Sequence, residues 1–504
     1  MKKTILKICA ALTLTAGMVN CGNDFLETEY YSGASDDGGL TSVNMLGTAL
    51  NGAYNELFRY YFAGNYAITV GDTMTDLVYR HSVGHWDTVN NYTYTDTESY
   101  FRYIWQYGYN VADYAARVID GGENIYDEVT DIDDYVDMNI YLAEAYAMRG
   151  YAQLMLTNIF AHQVKVNGQD FSSEPGIVIV EHHIPAMEQV SRSTVGKCYE
   201  AVVSDFETAI EYFDVVAGLY GGYADRGNLY FNVAATYGLL ARTQLYLENW
   251  AAAAEAAETA LAVAGIDALA TTAGAYASLY TSTAANSESL FALAINSSQN
   301  WSANSSGTLW TTYYHNPSQK LLHLYGEGDC RTALFDWDPD AQYTPCFTGG
   351  KYSVHASKNP AQATNYIVNA PEMFLIIAEA AANSGSIEDA QEALFTVAQR
   401  DSAITDPSQV GTTKEEVLAF LKDERARELF QEGLRLYDLR RWDESASVFA
   451  KAWDDTENYD PAAEFMYNNY KISNLVLPIP NSEISSGWGV EQTPNWASTK
   501  PNAL

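Results

Sequence analysis

Basic residues are scarce in this sequence: 28 Lys and Arg stand against 64 Asp and Glu, a formal net charge of -36. Nucleic acids and anionic lipid surfaces are held by clusters of Lys and Arg, so neither is expected as a partner. Cysteine is sparse as well. Of the five, Cys9 and Cys21 fall near the start, and the odd remainder of Cys198, Cys330 and Cys346 excludes a complete disulfide framework. Cys330 and Cys346 bracket a loop whose spacing suits either a bridge or two unlinked thiols. Past Cys21 no apolar run is long enough to cross a bilayer. Catalytic signatures are missing too: there is no Gly-rich phosphate loop ending in Lys-Ser or Lys-Thr, no paired-His zinc helix and no Gly-x-Ser-x-Gly elbow. His81 and His85 are separated by Gly84, which argues against a helix aiming both at one metal. Asp336, Asp338 and Asp340 begin like a calcium loop, but Ala341 stands where that loop needs Gly and Phe347 where it needs Glu. A protein that is not an enzyme, with no cofactor and no metal, is therefore expected.

The first residues have the layout of an export signal. Met1-Lys2-Lys3 supplies positive charge, Ile5 to Val19 is a short apolar stretch, and Cys21 follows at once. Residues 1–20 are read as a lipoprotein signal peptide and Cys21 as the lipid attachment site, although Asn20 replaces the small residue usual before such a cysteine. Lipid would then be the only attachment to a membrane.

The rest reads as mostly helix. Leu46, Leu50, Tyr54, Leu57, Phe58 and Tyr61 recur at helical spacing behind a Thr41 or Ser42 cap, and Ile140 to Ile159 carries a second apolar stripe. Ala241, the turn Glu248-Asn249, then Ala253, Ala257 and Ala260 place small residues where two antiparallel helices press together. The same offsets return in Ala378, a turn at 383–386, Ala390, Leu394 and Val397. Repeated spacing in distant segments predicts tetratricopeptide-like helix pairs, which bury their apolar faces only by stacking on further helices. The expected fold is mainly α, a tetratricopeptide-like helical-pair scaffold with an irregular, loop-rich ligand-binding face. Two stretches supply that face: 65–103 and 296–317 mix Tyr and Trp with Gly, Asn, Ser, Thr and His, which is loop composition.

The C-terminal third is more specific. The run Glu424-Arg425-Ala426-Arg427-Glu428-Leu429-Phe430-Gln431-Glu432-Gly433-Leu434-Arg435-Leu436-Tyr437-Asp438-Leu439-Arg440-Arg441-Trp442 carries Leu421, Leu429, Phe430 and Tyr437 on an apolar stripe. Glu424 with Glu428, and Arg435 with Asp438, lie where helix side chains meet, and charges this dense are read as clamps between helices, with Gly433 marking close packing. This run resembles the signature helix of the SusD/RagB family, the surface nutrient-binding lipoproteins of Bacteroidetes. Leu477-Pro478-Ile479-Pro480-Asn481-Ser482-Glu483-Ile484 resembles that family's closing Leu-Pro-Ile-Pro segment, and Thr493-Pro494-Asn495-Trp496 its ending. The stretch from Cys21 to Glu29 and the helix from Leu40 to Tyr61 fit its N-terminal pattern.

The resemblance implies one compact unit, with residues 21–265 as its N-terminal helical region and 266–504 as its C-terminal region with variable binding loops. It implies a lipoprotein on the outer membrane at the cell surface, lying as a lid on a SusC-like TonB-dependent transporter and capturing oligosaccharides, or in some relatives peptides, for import. Sugar rings stack their C–H faces on aromatic planes, and Asn, Asp, Arg or Gln beside them meets the hydroxyls. Among 38 Tyr and 10 Trp most serve packing. Rings in polar loops are the better candidates, which selects Trp86, Trp301 and Trp310 as sugar platforms, with Asn90, Asn91, Arg80 and Tyr313 as hydrogen-bonding or flanking partners. Two other classes remain open: a surface glycosidase, needing two carboxylates beside an aromatic cleft, and a cover that gates the transporter without holding ligand.

Overall fold

The computed structural model of the chain describes residues 39–80, 85–352, 359–444 and 471–501. Cys21 and His81 lie outside the described residues, as does the side chain of Arg80. The first described helix, α1 (Val43–Phe58), starts where Ser42, in extended backbone, accepts the Met45 N–H at 3.4 Å. Its Leu46, Leu50, Ala53 and Leu57 form one buried stripe against α2 (Ser99–Ile125). Asp131 caps α3 (Ile132–Phe160), which packs on α2 on one side and α4 (Val195–Tyr220) on the other. From Leu142 onward almost every position of α3 is buried, charged Glu144 and Arg149 included. Those charges are paired, Arg149 with Asp205 of α4 at 2.6 Å and Glu144 with Arg226, as burial demands.

The alanine-rich segments fold as the spacing predicts. Helices α5 (Val233–Tyr246) and α6 (Trp250–Ala264) form one antiparallel pair, α7 (Ala370–Ser384) and α8 (Ile387–Ala398) the other, and α6 packs directly on α7. Ala253, Ala257, Ala260, Ala378, Ala390, Leu394 and Val397 are all fully buried there. With α4 on α5 and α8 on α9 (Lys414–Glu428), consecutive helices stack into one continuous scaffold. No helix among the described residues is long and apolar enough to cross a membrane. The described residues also form further short helices, Tyr66–Thr73 and Ser306–Thr311 among them, and three short antiparallel strand pairs, including 78–80 with 315–317, and Ser289–Leu293 with Asn365–Asn369.

The signature run differs from the expected single helix. It breaks at residues 429–434, where Gln431 and Gly433 adopt left-handed backbone, and resumes as α10 (Arg435–Trp442). The break has a packing cause: a Cβ at Gly433 would lie 2.4 Å from the Ile68 carbonyl oxygen, so the turn needs glycine twice over. The expected pairs are also re-partnered. Arg331 donates to Glu424 at 2.6 Å and to Glu428 at 3.0 Å, Arg425 and Arg441 both donate to Asp438, and Arg435 reaches Asp76. Every one of these groups is buried, so the charges clamp the α9–α10 region to its neighbours. Burial alone would raise the Glu424 carboxyl, but Arg331 and Arg427 outweigh it and bring it down to about 2. Cys198, Cys330 and Cys346 are separate buried thiols, Cys330 packed with Tyr276 and Leu334 and Cys346 against the Thr311 carbonyl.

Candidate functional site

The end of α1 sets the site. Arg59 leaves helical geometry (φ -55°, ψ 138°) and turns Tyr60 and Tyr61 onto the flank of α2. There Tyr61 stacks on Tyr103 (ring centroids 4.2 Å apart, planes at 29°) and on Tyr107 (4.7 Å, 28°), residues one turn apart on one helix face. Tyr60 packs on Tyr61 at 3.9 Å and meets Trp301 at 5.7 Å; Trp301 also lies 5.3 Å from Phe58. The Trp301 indole N–H donates to the Phe58 carbonyl at 2.9 Å, and the Arg59 guanidinium sits 5.9 Å from the ring. Asn65 fastens the 296–304 loop from below through the Asn304 carbonyl at 2.8 Å.

Phe58, Tyr60, Tyr61, Tyr103, Tyr107 and Trp301 are each half-buried, a continuous strip of rings with one side open to water. Burial, with Tyr61 beside it, pushes the Tyr60 hydroxyl far above its usual range, and burial raises Tyr107 as well. Both stay protonated near neutral pH and act as neutral hydroxyls.

Beyond Phe58 the strip opens into a cavity of about 450 Å³. Tyr54 and Tyr230 meet edge-on at 5.3 Å in its wall, and the Arg226 guanidinium lies 3.9 Å from the Tyr230 ring centre. Asn51, Asn55 and Gln299 line the rim and are exposed or partly so, while Asn296 is spent on its own loop, accepting the Ser298 and Gln299 N–H groups. Flat ring faces beside side-chain amides suit a ligand with apolar faces and hydroxylated edges.

Of the residues expected to bind whose side chains are described, Trp301 alone joins this strip. Trp86 is 2% exposed: its left-handed backbone (φ 68°) tucks the ring inward, stacked on Tyr100 at 4.0 Å and edge-on to Tyr66 at 5.3 Å. Trp310 is 4% exposed and sits in a small core with Phe347 and Phe430. Both were expected to be open platforms and are packing residues instead, because the segments carrying them fold back as short helices and strand rather than open loop. Asn90 is buried and donates to the Thr73 carbonyl at 2.7 Å, Asn91 is exposed and bonded to Asp87, and Tyr313 lies against His85 at 4.0 Å. Arg80 is in a strand opposite His315. Tyr60, Tyr61, Tyr103 and Tyr107 are not among the expected platforms: the helical spacing runs through Tyr61 but the helix ends at Phe58, and the signal that remains in the sequence is Tyr103 and Tyr107 at turn spacing.

Two family patterns match the chain. Residues 350–496 match the SusD family, and residues 24–247 match the family described as starch-binding, associating with outer membrane. No curated protein matches. The fold is similar to that of a SusD superfamily protein from Bacteroides thetaiotaomicron, at 23% identity and a TM-score of 0.77, covering 90% of this chain and 100% of the other. A SusD superfamily protein from Bacteroides vulgatus is similar over 90% of this chain and 99% of its own, at 21% identity and a TM-score of 0.74. A SusD-like carbohydrate binding protein from the same organism matches at 21% identity and a TM-score of 0.67, over 79% of this chain and 83% of that one.

Proposed function

This chain is a member of the SusD/RagB family, and on that premise we propose that it binds a glycan at the outer membrane without cleaving it and delivers it to a SusC-like TonB-dependent transporter. The observation that carries the proposal is the half-open strip from Trp301 to Tyr107 beside the amide-rimmed cavity at Tyr54 and Tyr230. A pyranose stacks its C–H face on such rings at little conformational cost, because the rings are already fixed by one another. The neutral Tyr60 and Tyr107 hydroxyls and the Asn51, Asn55 and Gln299 amides then meet hydroxyl groups. Trp301 keeps its ligand role in this reading; Trp86 supports the strip from beneath through Tyr66. Anchoring by lipid at Cys21 would hold the protein at the membrane.

Native gels cast with soluble starch, xylan, mannan or pectin test the proposal with the secreted, unlipidated full chain. Retardation by one polysaccharide, with chromatography showing that polymer intact after prolonged incubation, is expected. Migration unchanged in every gel would overturn it.

A further inference from the structure

Helix α2 carries a second concave surface on its next face. Between Trp105 and Tyr109, the segment 184–190 and the segment 482–490 lies a groove of about 570 Å³. Its floor is fixed. The Trp105 indole N–H donates to Glu483 at 3.3 Å, and the Tyr109 hydroxyl both donates to the Val178 carbonyl and accepts the Val178 N–H at 2.9 Å. The two walls are laced together: the Val190 N–H donates to the Trp488 carbonyl at 2.9 Å, and Gln189 donates to that of Gly487. Gly489, at φ +96°, sits where a Cβ would lie 2.3 Å from the Val190 oxygen. His182 and His183 pin the first wall to α2 through Asp120 and Asp113, each at 2.7 Å.

At the lip of this rigid groove Trp488 is 38% exposed and Met187 75% exposed. These two side chains put an aromatic face and a polarisable thioether at the open edge of the groove. The rim decides what fits there. Arg102, Gln106 and Ser482 are exposed there beside Glu188, so the lining is neither dry enough for an acyl chain nor of one sign, as an ion would require. Open aromatic and thioether surface among mixed polar groups is the lining that a pyranose ring fits.

The groove is also joined to the strip. The Arg102 guanidinium lies 4.7 Å from the centre of the Tyr103 ring, and along the same turns of α2 Tyr103 and Tyr107 face the strip while Arg102 and Gln106 face the groove. One helix, about 10 Å across, separates them. Resting on the glycan-binding reading above, we infer that the groove at Trp488 is a second sugar subsite, so that one polysaccharide chain lies across α2 and engages both. Two linked contacts make the second effectively intramolecular, which favours long chains over short ones.

The test compares Trp301→Ala, Trp488→Ala and Gln106→Ala with the parent chain, using the polymer that retards it in the starch, xylan, mannan or pectin gels and that polymer's trisaccharide in calorimetry. Trp488→Ala and Gln106→Ala are expected to weaken polymer binding on the order of tenfold and to leave trisaccharide affinity unchanged, with unaltered melting. Trp301→Ala is expected to weaken both ligands. Unchanged polymer binding in Trp488→Ala and Gln106→Ala, with loss in Trp301→Ala, overturns the second subsite and leaves the function standing. Equal loss of trisaccharide and polymer in Trp488→Ala overturns it too, by making the groove the only site. A parent chain that no polymer retards removes both proposals.

Discussion

The Trp301 indole donates its N–H to the Phe58 carbonyl at 2.9 Å, binding a ring of the 296–304 loop to the last turn of α1. One polar bond therefore sets the plane that a ligand would meet, and it consumes the only donor of that side chain. Trp301→Ala should cost about 2 kcal/mol or more of binding, on the order of thirtyfold in affinity. Trp301→Phe keeps a ring but loses the bond that aims it, and should fall between the two. Calorimetry on the three proteins checks the order; a Phe variant weaker than the Ala variant would show that orientation is not what the bond supplies.

Trp86 and Trp310 give the opposite pattern. Each is enclosed by other rings, so truncation opens a cavity: Trp86→Ala and Trp310→Ala should each lose roughly 3 to 5 kcal/mol of folding stability. Chemical denaturation reads this directly. A melting curve unchanged by either substitution contradicts their burial.

The difference between these tryptophans shows what composition can and cannot reveal. Trp86, Trp301 and Trp310 all stand in polar, glycine- or serine-containing stretches, and nothing local distinguishes the one at the surface from the two inside. What hides Trp86 is Tyr66 and Tyr100, brought against it by the fold. The alanines at 253, 257 and 260 were legible because tight helix pairing is recorded at helical spacing within one segment. The partners of Glu424 were not, since Arg331 lies far off in sequence and is delivered by the 3-10 turn Cys330–Leu334.

Arg331 makes a stability prediction of its own. It is 1% exposed and faces Asp329, Glu424 and Glu428, all buried. Arg331→Met removes the shared counter-charge and leaves carboxylates together out of water, which should cost roughly 3 to 5 kcal/mol. Arg59→Met, beside Trp301 but half-exposed, should change stability by less than about 1 kcal/mol. Equal effects from the two substitutions would mean that the buried cluster is not a clamp.

The proposed lipid anchor and the proposed transporter partnership are tested separately. Cys21→Ala should accumulate an unlipidated precursor, and metabolic lipid labelling that persists in the variant would show the anchor to be elsewhere. If the protein acts as the proposed lid on a transporter, detergent extracts should still yield that transporter together with Cys21→Ala protein, because a lid that opens and closes needs an extended protein surface and not lipid alone. Loss of co-purification would assign the association to the tether.

Asp72 sets a pH dependence of folding. Its Oδ2 accepts the Gly433 N–H at 3.2 Å, and burial raises the carboxyl to about 7, with Glu432 adding to the rise and the Gly433 N–H and Lys351 opposing it. From 3.8, the ordinary value, to about 7 the unfolded chain has released this proton while the folded one retains it. The folded state thus binds the extra proton in that window, so this group's contribution to stability is complete below 3.8, falls as pH rises, and levels off above about 7. The interval corresponds to at most about 4 kcal/mol. Asp72→Asn stays neutral throughout and can still accept from Gly433, so its stability relative to the parent chain should improve steadily between pH 4 and pH 7 by up to that amount. Urea denaturation of both proteins across the range decides it: a stability difference independent of pH would mean that Asp72 is already ionised when folded, and that the turn at Gly433 holds a buried carboxylate rather than a neutral acid.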